Sequence, residues 1–336
     1  MPVVDTAALI EERVKALVDY HQQAGIVRAE IDVSGGVDSA VMLALLARAL
    51  GPARVTAVFI GIHSGDDFLR RAVEAANATG VALVQFDATD LFESLHEGML
   101  EALVAAGYSL EDIHARMHSD PAVNGSIRSC LRAPIGRGFN RLSGGGVRHG
   151  TGNECEDRFL RFYQKGGDGE VDTNPIGMLS KGEVFQLARA LDVPRSIRAA
   201  TPSPDLHGIG EAHNDEDELR ELHGVHWTYS KIDPETGDYS YVGSIERMSR
   251  FLDGHDELFG PAEPDWQALA GQACRGLFSP LAGTGSALEL LQSARTIERQ
   301  TRHKQNASCP MLGARGALVR DGILQDEFSE ALLAQL

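Results

Sequence analysis

What most constrains the fold of this chain is a regular alternation, over residues 6–107, of short apolar runs with longer amphipathic segments. "IVRAEIDV" (26–33), "RVTAVFIGI" (54–62) and "VALVQFDA" (81–88) read as buried strands, apolar and bounded by glycine or polar turn residues. A helix is expected over 6–24, ending near Gly25. Others are expected in "DSAVMLALLARALG", "DDFLRRAVEAANATG" and "DLFESLHEGMLEALVAAG". A helix between successive strands returns the chain to the same end of the sheet, so the next strand runs parallel. The fold class is therefore α/β, a doubly wound parallel sheet with flanking helices. Ligands bind such sheets beyond the C-terminal strand ends, and Ser34 to Ser39 fall at one of those ends.

After Ala200 the texture changes. "TPSPDLHGIGEAHNDEDELRELHG" is rich in Pro and Gly and then acidic, "YSKIDPETGDYSY" carries hairpin or turn chemistry, and "SALELLQSARTIERQTRHK" reads as a helix. The expected organisation is an α/β core over 1–206 with a divergent region, 207–336, packed on the same domain. The acidic run Asp215–Glu218 reads as a solvated helix start.

Asp and Glu number 48 against 31 Lys and Arg, a net charge of −17. That balance argues against broad binding of nucleic acid or anionic membrane, though not against a polyanionic small molecule met by local cations. No apolar run is long enough for a membrane span. The N-terminal stretch is acidic and helix-patterned, without the basic start of a signal peptide. Four cysteines with no CxxC pair are expected in a reducing cytoplasm.

The stretch "VSGGVDSA" joins the first strand to the next helix. Glycines at 35 and 36 let main-chain N–H groups face an anion, and the helix start adds partial positive charge. Ser34 and Ser39 can add hydroxyl donors. A carboxylate at this turn, Asp38, would repel phosphate unless a cation stood between them. Mg²⁺ fits, since it takes one or two carboxylates together with phosphate oxygens and water. The plainer alternative is a Gly-Gly turn with Asp38 as an ordinary helix cap.

Ser-Gly-Gly-x-Asp-Ser resembles the pyrophosphate loop of the ATP pyrophosphatase superfamily, whose fold is of the adenine nucleotide alpha hydrolase type. A second block, Gly150 to Leu206, is similar to the ammonia-dependent NAD synthetase family. It holds Gly-Thr-Gly-Asn, a following glutamate, Lys before Gly-Asp-Gly, Asn-Pro-Ile, Leu-x-Lys and Pro-Ser-x-x-Leu. "ARTIERQTRHK" (294–304) resembles that family's C-terminal helix, and "DEDEL" (215–219) its segment after Pro-Ser-x-x-Leu. The resemblance implies that Ser34, Gly35, Gly36, Val37, Asp38 and Ser39 cradle pyrophosphate, and that Asp38 and Glu156 hold Mg²⁺. It puts Lys165, Lys181 and Ser203 on the phosphates and Thr151 by the adenosine. Arg132, Asp168, His303 and Lys304 fall to the second substrate. The reaction it implies is ATP-dependent amidation of deamido-NAD by ammonia through an acyl-adenylate, with release of AMP and pyrophosphate. Ammonia would come from solution or from a separate protein, and the enzyme would be a homodimer.

The chain departs from that family in several places. "FIGIHS" stands where an arginine is usual, and "SIRSCLR" has Ser126 for an asparagine and Cys130 for an arginine, with Arg132 retained. The interval from Glu156 to Lys165 is one residue longer. On a helix one residue turns a side chain by about 100°, which makes Asp157 a rival to Glu156. An insertion around 223–245 and the tail after 305 have no counterpart. An amide ligase with another carboxylic acid is therefore an alternative. Cys130 and Cys155 leave a tRNA-thiolating enzyme as a further one, against which the net charge stands.

Overall fold

The apolar runs become the strands of one parallel sheet in a computed structural model. It describes residues 3, 5–120, 122–203, 214–252, 255, 258, 260, 262–275, 287–304 and 313–325. Helix α1 (Thr6–Ala24) opens on Asp5, whose carboxylate accepts from the Ala8 N–H at 2.9 Å, and stops where Gly25 turns left-handed at φ 67°. Then follow β1 (Ala29–Asp32), α2 (Val37–Leu50), β2 (Val55–Gly61), α3 (Asp66–Thr79), β3 (Leu83–Asp87), α4 (Thr89–Ala105), α5 (Leu110–Ser119), α6 (Ala122–Leu142) and β4 (Val147–His149). The strand order is β3-β2-β1-β4, all parallel, with Ala29 opposite both Val55 and Val147 and Ala57 opposite Leu83.

The two layers explain the sequence of α2. "VMLALL" is apolar all round because α2 packs on the sheet on one side and on α1 and α7 (Lys181–Ala190) on the other. On the opposite sheet face Val58, Ile60 and Ile62 meet Phe92 of α4 and Ile127, Leu131, Ile135 and Phe139 of α6.

The region after 200 builds a separate apolar cluster. After α8 (Arg195–Arg198) come α9 (Asp215–His223), the antiparallel hairpin β5 (Lys231–Ile232) and β6 (Tyr239–Tyr241), α10 (Ser244–Leu252), α11 (Trp266–Arg275), α12 (Ala287–Thr301) and α13 (Arg315–Arg320). The hairpin expected from "DPETGD" is present: Asp233 accepts from the N–H groups of Glu235 and Thr236, and Gly237 turns at φ 79°. Trp227, within the insertion, is fully buried. It packs with Phe159, Ile245, Met248 and Leu291. Buried ion pairs tie this region to the core: Arg250 to Glu154 at 2.5 Å, Arg161 to Glu298 at 2.5 Å, and Arg315 forked onto Glu183 at 2.9 Å through each nitrogen. Removing one partner of such a pair strands a buried charge, so these contacts hold the two parts in fixed relation.

A histidine pair ties α1 to β4. His21 Nδ1 lies 2.7 Å from the Ile26 carbonyl oxygen, which can only accept, so Nδ1 carries the hydrogen and Nε2 is a lone pair. His149 Nε2, 3.0 Å away, must then donate, and its Nδ1 accepts from the Thr173 hydroxyl at 2.7 Å. Both rings are neutral in this arrangement. Burial pushes His149 down to about 3, and burial lowers His21 too. The unfolded chain therefore binds protons that the folded chain refuses between about pH 6.5 and 3. Stability from this pair is full above that window and is lost as pH falls through it. At pH 5 His149 alone accounts for about 2 kcal/mol. Urea melts at pH 7.5 and 5 are expected to show a stability loss smaller by about that amount in His149→Gln; an unchanged difference would put the acid sensitivity elsewhere.

Candidate active site

The C-terminal strand ends open into a cavity of about 740 Å³, lined by residues 32–38, 58–60 and 150–152, among others. The glycine loop forms one wall. Gly35 has φ 83°, and a Cβ there would lie 2.3 Å from the Phe68 carbonyl oxygen, so only glycine fits. Gly36 caps α2 at φ −87°, and Val37 is its first residue. Ser34 Oγ accepts from the Gly36 N–H at 3.3 Å. Ser39 Oγ donates to the Gly36 carbonyl at 3.0 Å and is buried, outside the cavity lining. Ser39 thus holds the loop's shape from behind. Arg71 holds it from the front: Nε donates to the Gly35 carbonyl at 3.0 Å, and the guanidinium lies 4.6 Å from the Phe68 ring centroid.

Facing the loop, two carboxylates and a lysine meet. Lys181 Nζ is 2.6 Å from Asp38 Oδ2 and 2.7 Å from Glu156 Oε1. Asn153 aligns them. Its Nδ2 donates to Asp38 Oδ1 at 3.0 Å, while its Oδ1 accepts from the N–H groups of Cys155 and Glu156 at 3.0 and 3.2 Å. Burial alone would lower the Lys181 pKa, but Asp38 and then Glu156 outweigh it and hold the ammonium firmly charged. Burial raises the Glu156 carboxyl, against the pull of Lys181.

Local backbone aims Glu156 and Asp157 differently, though both line the cavity. Cys155–Leu160 forms a π-turn, closed by Arg161 in the left-handed region at φ 47°. A π-turn takes up one residue more than an α-turn of the same span. Glu156 therefore reaches Asp38, while Asp157 turns to Asn174, which donates to it. Gly152 lies against that carboxylate, where a Cβ would come 2.0 Å from Oδ2. Burial, and then Glu156, push the Asp157 carboxyl well above its usual range.

The remaining expected residues divide. Thr151 and Ser203 line the cavity. So does Arg132, whose Nε donates to the Ile60 carbonyl at 3.2 Å and Nη2 to Ser64 Oγ at 3.4 Å. Asp168 is open to the cavity yet deep among protein atoms. Desolvation raises its carboxyl, tempered by the Gln164 N–H at 2.8 Å and the Ser129 hydroxyl at 2.9 Å. Lys304 also lines the cavity, with Nζ donating to the carbonyls of Arg161 and Tyr163 at 2.9 and 2.6 Å; burial lowers its pKa. Lys165 is exposed and stands outside the lining, which places it, like Ser39, apart from the residues the cavity brings together. The His303 side chain lies outside the described residues.

The acidic run at 215–218 is a correction. It does start a helix, capped by Asn214 accepting from the Asp217 N–H at 3.0 Å, but Asp215 and Glu218 are buried and line the cavity. Burial raises the Asp215 carboxyl to about 7, with Glu156 the next cause. The signal was available: residues 215, 218, 219 and 222 recur at i, i+3, i+4 and i+7, one helix face that carries the buried Leu219. Arg71 left no comparable trace.

Set against known proteins, residues 9–235 match the NAD synthase family model. The NH(3)-dependent NAD(+) synthetase of Methanococcoides burtonii is 34% identical over 215 residues, 62% of this chain and 70% of that protein. Its counterpart in Methanosarcina acetivorans is 32% identical over 215 residues, 63% and 73% of the two chains. Among solved structures, an NMN synthetase from Francisella tularensis has a TM-score of 0.62 at 19% identity, covering 90% of this chain and 96% of its own. An NAD+ synthetase from Burkholderia pseudomallei has 0.55 at 21%, covering 91% of each. Those two likenesses establish the fold, and they extend it past the matched segment into the C-terminal region. On its sequence, this chain belongs to the NAD synthase family.

Proposed function

We propose that this protein is an ammonia-dependent NAD synthetase, an AMP-forming ligase that joins ammonia to the carboxylate of deamido-NAD. The observation that carries the reading is the meeting of Asp38 and Glu156 within one cavity, opposite a glycine loop at a helix start. Attack of the substrate carboxylate on the α-phosphorus of ATP expels pyrophosphate, and ammonia then displaces AMP from the acyl-adenylate. No nucleophilic side chain is required; positioning and charge stabilisation are. The glycine loop and the start of α2 are assigned to the leaving pyrophosphate, with Lys181 and Ser203 beside it. Thr151 is assigned to the adenosine. Arg132, Asp168 and Lys304 are assigned to the second substrate.

The residues present suit Mg²⁺. Oxygens of Asp38 and Glu156 already converge on a single cationic nitrogen, and hard carboxylate oxygens are this ion's preferred protein ligands. Bound there with ATP, the ion would supply charge neutralisation for the triphosphate.

The working form is assigned as a homodimer in the cytoplasm that takes ammonia from solution or from a separate protein. Helix α4 supports the dimer: Leu91 and Leu95, one turn apart on one face, are both exposed. Leu91→Glu with Leu95→Glu is expected to halve the mass seen by light scattering; a monomeric parent would remove the assignment. No helix among the described residues is long and apolar enough to cross a membrane. The buried ion pairs between the two parts of the chain support treating 1–206 and 207–336 as one folding unit.

The test incubates the purified chain with Mg·ATP, ammonium and deamido-NAD and follows NAD and AMP by chromatography. Equal production of both is expected. Ser126, in place of the family's asparagine, lines the cavity, so nicotinic acid mononucleotide is run in parallel as the smaller carboxylate. Product from that acid alone would favour the amide ligase with another substrate.

A further inference from the structure

The two converging carboxylates do not face an incoming cation bare. A positive charge stands between them, 2.6 Å from Asp38 and 2.7 Å from Glu156, on a lysine side chain only 5% exposed. Its backbone is fixed. Lys181 is the first residue of α7, and Ser180 and Glu183 close a capping box around that helix start. The ammonium can therefore leave the pair only by rotation of its own four-carbon stem, while Asn153 keeps Asp38 in place through the other oxygen.

A divalent ion of the Mg²⁺ class needs the same oxygens at about 2.0–2.1 Å. An ammonium still bonded to them would then sit within about 4 Å of the ion, where like charges in a poorly solvated cavity repel by several kcal/mol. The ion and the ammonium exclude each other. Moving the ammonium away costs the loss of two counter-ions in a buried setting, unless another anion receives it. The phosphates of a nucleotide seated on the glycine loop are such an anion, in the same cavity.

We propose that Lys181 makes this site selective for the metal–nucleotide complex over the free metal, by occupying the metal's oxygens until nucleotide phosphates draw it off. The inference rests on the reading that Asp38 and Glu156 are the metal's ligands, and it is independent of which carboxylate is amidated. Metal and nucleotide then bind with positive coupling, and the coupling runs through one side chain.

The test uses Mn²⁺ alone, titrated into the full chain, with bound ion read from the loss of the free-ion EPR signal. Lys181→Met, close in length and uncharged, is expected to bind Mn²⁺ at least about tenfold more tightly than wild type. The gain should vanish in Lys181→Met combined with Glu156→Gln, which separates this site from weak binding to the acidic surface. With α,β-methylene-ATP present the order should reverse or level, because the phosphates then lack their lysine in the variant. Equal affinity of wild type and Lys181→Met for free Mn²⁺ overturns the proposal. Lys181→Gln, which keeps N–H donors for the carboxylates, carries the same comparison if Lys181→Met does not fold. Since no acid substrate is present, a chain that makes no NAD can still pass or fail this test.

Discussion

Asp38→Asn lowers kcat/KM for ATP-dependent amide formation by about a thousandfold, roughly 4 kcal/mol of transition-state stabilisation. The substitution keeps size and shape, but its single amide oxygen can accept from Asn153 or from Lys181 and not from both, so one of the two hydrogen bonds is lost. What it removes is one of the two negative charges that face each other in the cavity, and with it half of the protein's hold on a divalent ion. Lys181 remains paired with Glu156, so the melting temperature should move by no more than a few degrees. Steady-state kinetics on AMP release, together with a thermal melt, separate the two effects. Activity within tenfold of wild type at an unchanged melting temperature would take Asp38 out of the machinery.

Gly35→Ala is expected to abolish nucleotide binding and to destabilise the fold by about 3 kcal/mol or more. Two penalties add. A left-handed backbone costs an L-residue about 1–2 kcal/mol, and the new methyl would press into the backbone of α3, 2.3 Å from the Phe68 oxygen and 3.0 Å from its carbon. Backbone cannot yield as a side-chain tip can, so the loop must shift off its support. Gly25→Ala is the comparison, because its φ of 67° carries the conformational cost while a Cβ there meets nothing within 4 Å. Denaturant melts and titration with α,β-methylene-ATP should show a small loss for Gly25→Ala and a large one for Gly35→Ala. Equal losses would mean that the clash at Phe68 is relieved cheaply.

Much of this was legible in the chain, and for identifiable reasons. Strands and helices up to α4 follow from period and punctuation, because each depends on neighbours within a few residues. The glycine loop and Asp38 were readable for the same reason: the motif is contiguous. Glu156 and Lys181 came from resemblance, and what brings them together is the separation of 143 residues closed by folding around Asp38. Pattern alone carries no such distance. Ser39 was expected at the phosphates because its hydroxyl suits them, yet the helix turns it inward to Gly36. Lys165 was expected there by resemblance, and in the turn it occupies the lysine is exposed. Asp215 carries the charge of a solvated residue, and only the helical face it shares with Leu219 marks it as buried. The insertion around 223–245 has no counterpart in the family's pattern, and the hairpin its turn residues imply is present. Its burial was not readable, since Trp227 is covered by Phe159 and Ser293 and the Tyr239 ring lies against Gly182, all remote in sequence.

The π-turn at Cys155–Leu160 bears on how chains of this kind can change length. A residue added or lost in an ordinary helix re-aims everything after it, and a site assembled from both sides of that point is broken. Here the extra residue is stored in the turn itself, and the backbone leaves through Arg161, whose side chain and carbonyl are gripped by Glu298 and Lys304 of the C-terminal region. Positions on either side keep their aim: Glu156 at Asp38, and Tyr163 bonded to the Lys304 carbonyl at 2.7 Å. Length variation among related chains should therefore collect in this hexapeptide, and a chain one residue shorter could present the same carboxylate through a plain α-turn.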